Sequence, residues 1–134
     1  MLIDTSGWIE FLRAKGDLIL KSQETQLITQ GNAAYTCPVS YELIPGAKPH
    51  ELKDLRTALG MAMRVEATAA NWDAASQGDA ASQVAAVLRR KGMNFPVPDL
   101  LIAAVAGAGK FPLISRDGHF AMIRDHALPA LQLM

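Results

Sequence analysis

The chain is short of the features that place a sequence quickly. It has one cysteine, Cys37, among 134 residues. A single thiol excludes an internal disulfide and a cysteine zinc cluster, and it suits a reducing cytoplasm. Neither sign of charge is in excess, because Lys plus Arg and Asp plus Glu are 13 each. No basic surplus advertises a nucleic-acid binder. That weakens such a role without excluding it, since a bound cation supplies local positive charge. No apolar run approaches the roughly 20 residues of a membrane span, so no membrane partner is expected. The start Met1-Leu2-Ile3-Asp4 carries no positive leader, so no signal peptide is expected either. Gly107-Ala108-Gly109-Lys110 lacks the spacing of a phosphate-binding loop. His50, His119 and His126 do not stand at zinc spacing with a cysteine.

What is present is a core. Half of the residues are hydrophobic, which argues against disorder. The length suits one domain, residues 1–134, able to bury about two-thirds of its unfolded surface. Met1–Ile3, Ala33–Cys37 and Phe111–Ser115 read as buried strands, Arg64–Thr68 as an edge strand, and Ala130–Met134 as a last strand. Helices are expected over Gly7–Leu12, with Thr5 or Ser6 as N-cap, and from Leu18 to a stop at Gly31-Asn32. A short helix follows over Ser40–Ile44, bounded by Pro45-Gly46. Leu52, Leu55, Leu59 and Met63 recur at helical spacing. Trp72–Arg90 form one Ala-rich helix with Ala81, Val84, Ala85 and Leu88 on one face, ended by Gly92. Pro96 and Pro98 hold an extended approach to Asp99. Leu100–Ala108 then form an apolar helix closed by Gly109, and Gly118–Arg124 a short one. Strands alternating with helices argue an α/β sandwich around a parallel sheet.

Four acids sit beside probable core. Asp4 ends the first strand, Glu42 follows Ser40-Tyr41, Asp99 opens the apolar helix, and Asp117 follows Leu113-Ile114-Ser115-Arg116. Buried carboxylates are costly unless paired, hydrogen-bonded or on a metal. In parallel α/β sheets, ligands bind at the carboxyl ends of the strands, where all four can converge. A carboxylate cluster suits a hard divalent ion, Mg²⁺ or Mn²⁺, and so hydrolysis of a phosphate ester. Thr5 and Ser115 offer hydroxyls to orient water or a carboxylate. Arg13 and Arg116 are candidates for backbone phosphates.

Each residue also has a plainer use. Asp99 or Asp117 alone reads as a helix cap, and Glu42 alone as solvated. The other acids read as surface charge, with Glu10 kept as a support behind the cluster. The histidines read as surface or packing residues, and Cys37 as a buried strand residue. Trp8 packs in the first helix, and Trp72 anchors the long one. Arg89-Arg90-Lys91 reads as a solvated helix end.

The local strings narrow the choice. Leu2-Ile3-Asp4-Thr5-Ser6-Gly7-Trp8-Ile9 resembles the opening of PIN-domain ribonucleases, especially the VapC toxins. Ser40-Tyr41-Glu42-Leu43 with Gly46 resembles the second motif of that family. Pro98-Asp99-Leu100-Leu101-Ile102-Ala103-Ala104 resembles the third, and Leu113-Ile114-Ser115-Arg116-Asp117 with Phe120 the fourth. The resemblance implies a three-layer α/β/α sandwich with a mainly parallel central sheet. It implies a cytoplasmic Mg²⁺- or Mn²⁺-dependent endoribonuclease, the toxin of a toxin–antitoxin pair. Asp4, Glu42, Asp99 and Asp117 would form the catalytic cluster, with Asp4, Asp99 and Asp117 on the metal. RNA would be cut to 3′-hydroxyl and 5′-phosphate ends. A homodimer and a cognate antitoxin, whose C-terminal segment lies in a groove near the active site, are the implied partners. Pro45 departs from the pattern, because the family continues a helix there. The rival reading is a catalytically silent module of the same fold that binds RNA or protein.

Overall fold

A computed structural model of the chain describes residues 1–75 and 84–134. Strands β1 (Leu2–Ile3), β2 (Ala34–Thr36), β3 (Met63–Val65) and β4 (Leu113–Ile114) form one sheet. Their order is β3-β2-β1-β4, and every neighbouring pair is parallel. Leu2 pairs with Ala34 on one side and Leu113 on the other, and Ile3 pairs with Ile114. Leu2, Ile3 and Leu113 have no exposed surface. An all-parallel sheet covered on both faces asks for such unbroken apolar strands.

Helices α1 (Thr5–Leu12) and α2 (Leu18–Thr29) join β1 to β2, and α3 (Cys37–Gly46) and α4 (Pro49–Met61) join β2 to β3. Helices α5 (Ala69–Ala75), α6 (Val84–Arg90) and α7 (Val97–Gly109) lead to β4, and α8 (His119–His126) follows it. One group packs α1 on α2 and α2 on α4; a second joins α5, α6, α7 and α8, and α3 touches both α1 and α7. These groups are the outer layers of the expected α/β/α sandwich. Helix α7 is buried at every position from Leu100 to Ala106. It is therefore apolar all round rather than along one stripe.

Topology fixes where a site can lie. The chain moves outward from β1 through β2 to β3, then returns to set β4 on the other flank of β1. The strand order reverses between β1 and β4, and ligands of open parallel sheets bind beyond the carboxyl ends at such a point. Asp4 leaves β1 there, and Ser115–Asp117 leave β4.

Several local expectations are corrected. Helix α3 begins at Cys37 rather than Ser40, so Cys37 is a half-buried residue of a first helical turn and not a strand residue. Pro38 fits that turn, because its missing N–H has no partner to lose there. Glu42 consequently lies in the second turn, and Pro45 is accommodated in the last. Helix α7 likewise takes in Pro98 and Asp99 as first-turn residues instead of an extended approach. It closes on Lys110 in the left-handed conformation, φ 53°, and not on Gly109. A Cβ at Gly109 would collide with the Phe111 ring, which accounts for that glycine. Met63 leaves the helical series for the edge strand and is exposed. Ala130–Met134 contribute one bridge, Leu113 to Leu133, rather than a strand. The long helix expected over 72–90 is described as α5 and α6; its middle, with Ala81, lies outside the described residues. Trp8 is fully buried as expected, whereas Trp72 is 48% exposed.

Gly7 marks a close approach between α1, β1 and α2. A Cβ there would stand 2.7 Å from Ile3 Cγ2 and 2.9 Å from Glu24 Oε1. Gly7→Ala is expected to destabilise the protein by about 1–3 kcal/mol through overpacking. Urea denaturation with an unchanged midpoint would refute this packing account.

Candidate metal centre

Asp4 is the N-cap of α1, where Thr5 or Ser6 was expected. Its Oδ1 accepts the Gly7 backbone N–H at 2.9 Å and the Ser6 hydroxyl at 2.8 Å, and its Oδ2 accepts the Ser115 hydroxyl at 2.8 Å. Only 3% of the residue is exposed. Burial raises its pKa, and those hydrogen bonds oppose the rise without cancelling it. The same hydroxyls reach the turn after β4. Ser115 Oγ accepts the Asp117 backbone N–H at 2.9 Å, and Ser6 Oγ accepts that of Arg116 at 2.8 Å.

Asp117 and Asp99 meet across His119. Asp99 projects from the first turn of α7, where the helix dipole favours a carboxylate. Its Oδ2 lies 2.7 Å from His119 Nδ1, and Asp117 Oδ2 lies 3.5 Å from the same nitrogen. The Asp117 side chain also accepts the His119 backbone N–H at 2.9 Å, which turns the chain into α8. One ligand atom from each of Asp99, Asp117 and His119 fits within 4.8 Å of the other two. The Asp99 pKa is raised first by burial; the His119 hydrogen bond opposes this, and the charges of Asp117 and Glu42 add to it. The His119 pKa is raised chiefly by its bond to Asp99. Glu42 joins from α3, its Oε2 accepting the Thr5 hydroxyl at 2.5 Å.

The four sequence candidates thus reach one rim by different routes. Asp99 and Asp117 share a focus, Asp4 is tied to Asp117 through Ser115, and Glu42 is tied to the start of α1 through Thr5. His119, expected to be a surface or packing residue, stands inside the focus. Its place two residues after Asp117 was the available signal. Arg116 pairs with Asp17, and Arg13 with Glu10 at 3.4 Å. Glu10 supports Asp17 instead of the cluster, accepting its backbone N–H at 2.5 Å.

Glu24 is the acid that sequence reasoning placed wrongly on the surface. It has no exposed area, and neither carboxyl oxygen has a hydrogen-bond partner among the described residues. Burial, then the charges of Asp4 and Glu10, push its pKa up to about 8, with Arg116 opposing. The signal lay in helical period: Glu24 is four residues from both Leu20 and Ile28, on the face α2 turns inward.

The family model for the PIN domain matches residues 1–125. The chain belongs to the PIN domain family. A comparison with curated proteins found no match. Among solved structures, this PIN domain is similar to VapBC2 of Rickettsia felis bound to a promoter DNA fragment, with 18% identity and a TM-score of 0.72 over 99% of this chain and 96% of that one. DNA-bound VapBC from Salmonella typhimurium gives 16% identity and a TM-score of 0.77, covering 99% and 95%. A toxin–antitoxin complex from Klebsiella pneumoniae gives 19% and 0.66, covering 98% of each chain. These likenesses are of fold.

Two carboxylates and an imidazole offer hard oxygen donors with one nitrogen, a set that suits Mg²⁺ or Mn²⁺. Asp4 is linked to this set through Ser115, and its carboxylate is held by Ser6, Gly7 and Ser115.

Glu24 makes stability depend on pH. Its folded pKa lies above its unfolded one, so the folded state holds the proton more tightly. The stability gained this way is fully present below about pH 4.3, the unfolded value. It is lost as pH rises through the folded value of about 8. Glu24→Gln is expected to melt higher than the parent at pH 8 and to lose most of that advantage at pH 4.5. A melting difference that stays constant between those pH values would show that Glu24 ionises normally.

Proposed function

We propose that this PIN domain is a metal-dependent endoribonuclease, the toxin of a toxin–antitoxin pair. One observation carries the reading: Asp99, Asp117 and His119 focus on one point at the sheet reversal of a PIN domain. Asp4, Asp99 and Asp117 are assigned to hold Mg²⁺ or Mn²⁺, with Glu42 completing the cluster. A bound divalent ion supplies Lewis acidity to a phosphodiester and lowers the pKa of water.

The chain's own residues do the rest. Glu42, steadied by Thr5, orients the attacking water and takes its proton. Ser115 fixes Asp4 and the Asp117 backbone together. Arg116 steadies a backbone phosphate of the RNA with the donors that Asp17 leaves free. Hydrolysis leaves 3′-hydroxyl and 5′-phosphate ends. The partner is a cognate antitoxin, in keeping with the toxin–antitoxin complex among the fold neighbours. The resting form is a cytoplasmic homodimer. Pro45, the departure that favoured a silent binding module, lies in the last turn of α3 and leaves Glu42 on the rim.

The test is incubation of the purified protein with total RNA in Mn²⁺ or Mg²⁺, beside EDTA and Asp4→Asn controls. Discrete fragments are expected, with cleavage lowered by at least about a hundredfold in both controls. A fully active Asp4→Asn enzyme would falsify the assignment. Absence of both cleavage and Mn²⁺ binding favours the silent binding module.

A further inference from the structure

Asp17 uses its two oxygens for two different parts of the fold. Oδ1 accepts the backbone N–H groups of Ile19 at 3.0 Å and Leu20 at 3.1 Å, which caps α2. Oδ2 pairs with Arg116 Nη2. Glu10 Oε1 holds the Asp17 backbone N–H, so Asp17 is fixed before Arg116 reaches it. Arg116 lies in the turn between β4 and α8, immediately before Asp117. Its backbone N–H is already on Ser6 Oγ, so the turn is fastened to α1 at one point and to the start of α2 at another.

We propose that Asp17 is a positioning residue for the metal centre. Through the Arg116 guanidinium it pins the β4–α8 turn, and so it holds Asp117 opposite Asp99. The inference rests on the reading of that cluster as a divalent-cation site. A surface ion pair is ordinarily weak, because ordering two mobile side chains cancels much of the attraction. Here one partner is ordered in advance by two cap bonds and by Glu10, so the pair acts as a directed tether. The tether also has work to do. Asp117 is 37% exposed and lies beside a second carboxylate, with Ser115 and His119 as its other anchors. Metal sites need ligands held to about 0.5 Å, and partners that orient ligands set the affinity.

Calorimetric titration with Mn²⁺ tests this on the full chain, with Asp17→Asn, Arg116→Ala and the double variant. The Asn side-chain oxygen still accepts the Ile19 and Leu20 amides, and an unchanged melting temperature reports that the cap survives. Mn²⁺ affinity is expected to fall about tenfold in each single variant. The double variant should be no weaker than either, because both act along one path. Wild-type affinity in folded Asp17→Asn overturns the tether, as do additive losses in the double variant. A lowered KM for RNA in Asp17→Asn also overturns it, since Asp17 would then be competing with phosphate for Arg116. No Mn²⁺ binding by the parent protein brings down the metal reading itself, and this inference with it.

Discussion

The hydrogen bonds around the Asp4 carboxylate join three elements that the chain leaves far apart. Asp4 ends β1 and caps α1, and through Ser115 it holds the turn that follows β4. The last link spans 111 positions of sequence. Parallel strands cannot be joined by a short turn, so β1 and β4 become neighbours only through tertiary structure. A hydroxyl–carboxylate bond at their ends fixes the relative height of the two exits. The heights of Asp117 and His119 follow from that of Ser115. Remove the carboxylate, and Ser6, Ser115 and the Gly7 amide all lose a partner in a buried place.

The rim is acidic although the chain is neutral overall. Hydrogen-bond donors crowd Asp4, yet its pKa is raised, because backbone amides and hydroxyls offset burial incompletely. Asp99 and Glu24 are raised for the same first reason, with neighbouring negative charge adding to it. Arg116 is the cation that opposes the rise at Glu24, and it is shared with Asp17. The local field therefore favours cations at the focus of Asp99 and Asp117. Under the proposed ribonuclease reading, a cation bound at this rim would supply the positive charge that the balanced composition does not spread over the surface.

Strand cores and the apolar helix α7 were legible because they are long or unbroken hydrophobic runs. The layer order followed from strands alternating with helices. The acids were legible as a set, since each adjoins a buried run. Less legible was anything decided by side-chain contact across the sheet. Nothing local says that Ser115 meets Asp4, or that Arg116 meets Asp17. The start of α3 was placed at Ser40, after Pro38, and Pro98 was read as an extended approach, whereas a first helical turn accepts proline. Glu24 was misread through composition. Its segment Lys21-Ser22-Gln23-Glu24-Thr25-Gln26 is polar throughout, and only its spacing to Leu20 and Ile28 exposes the burial.

The use of three aspartates and one glutamate follows from where each backbone stands. Asp4 caps α1, Asp99 lies in the first turn of α7, and Asp117 immediately precedes the cap of α8. Asp4 and Asp117 accept helix-start N–H groups, from Gly7 and His119, and Asp99 lies in a first turn where the helix dipole favours a carboxylate. Glu42 stands in the second turn of α3, where the amides are already taken by the helix. It receives no such support and must reach further to the rim, and the extra methylene provides that reach. Thr5 then supplies a hydrogen bond of the kind that helix-start amides give to Asp4 and Asp117. Because Thr5 is the first residue of the helix that Asp4 caps, the placement of Glu42 also depends on that cap.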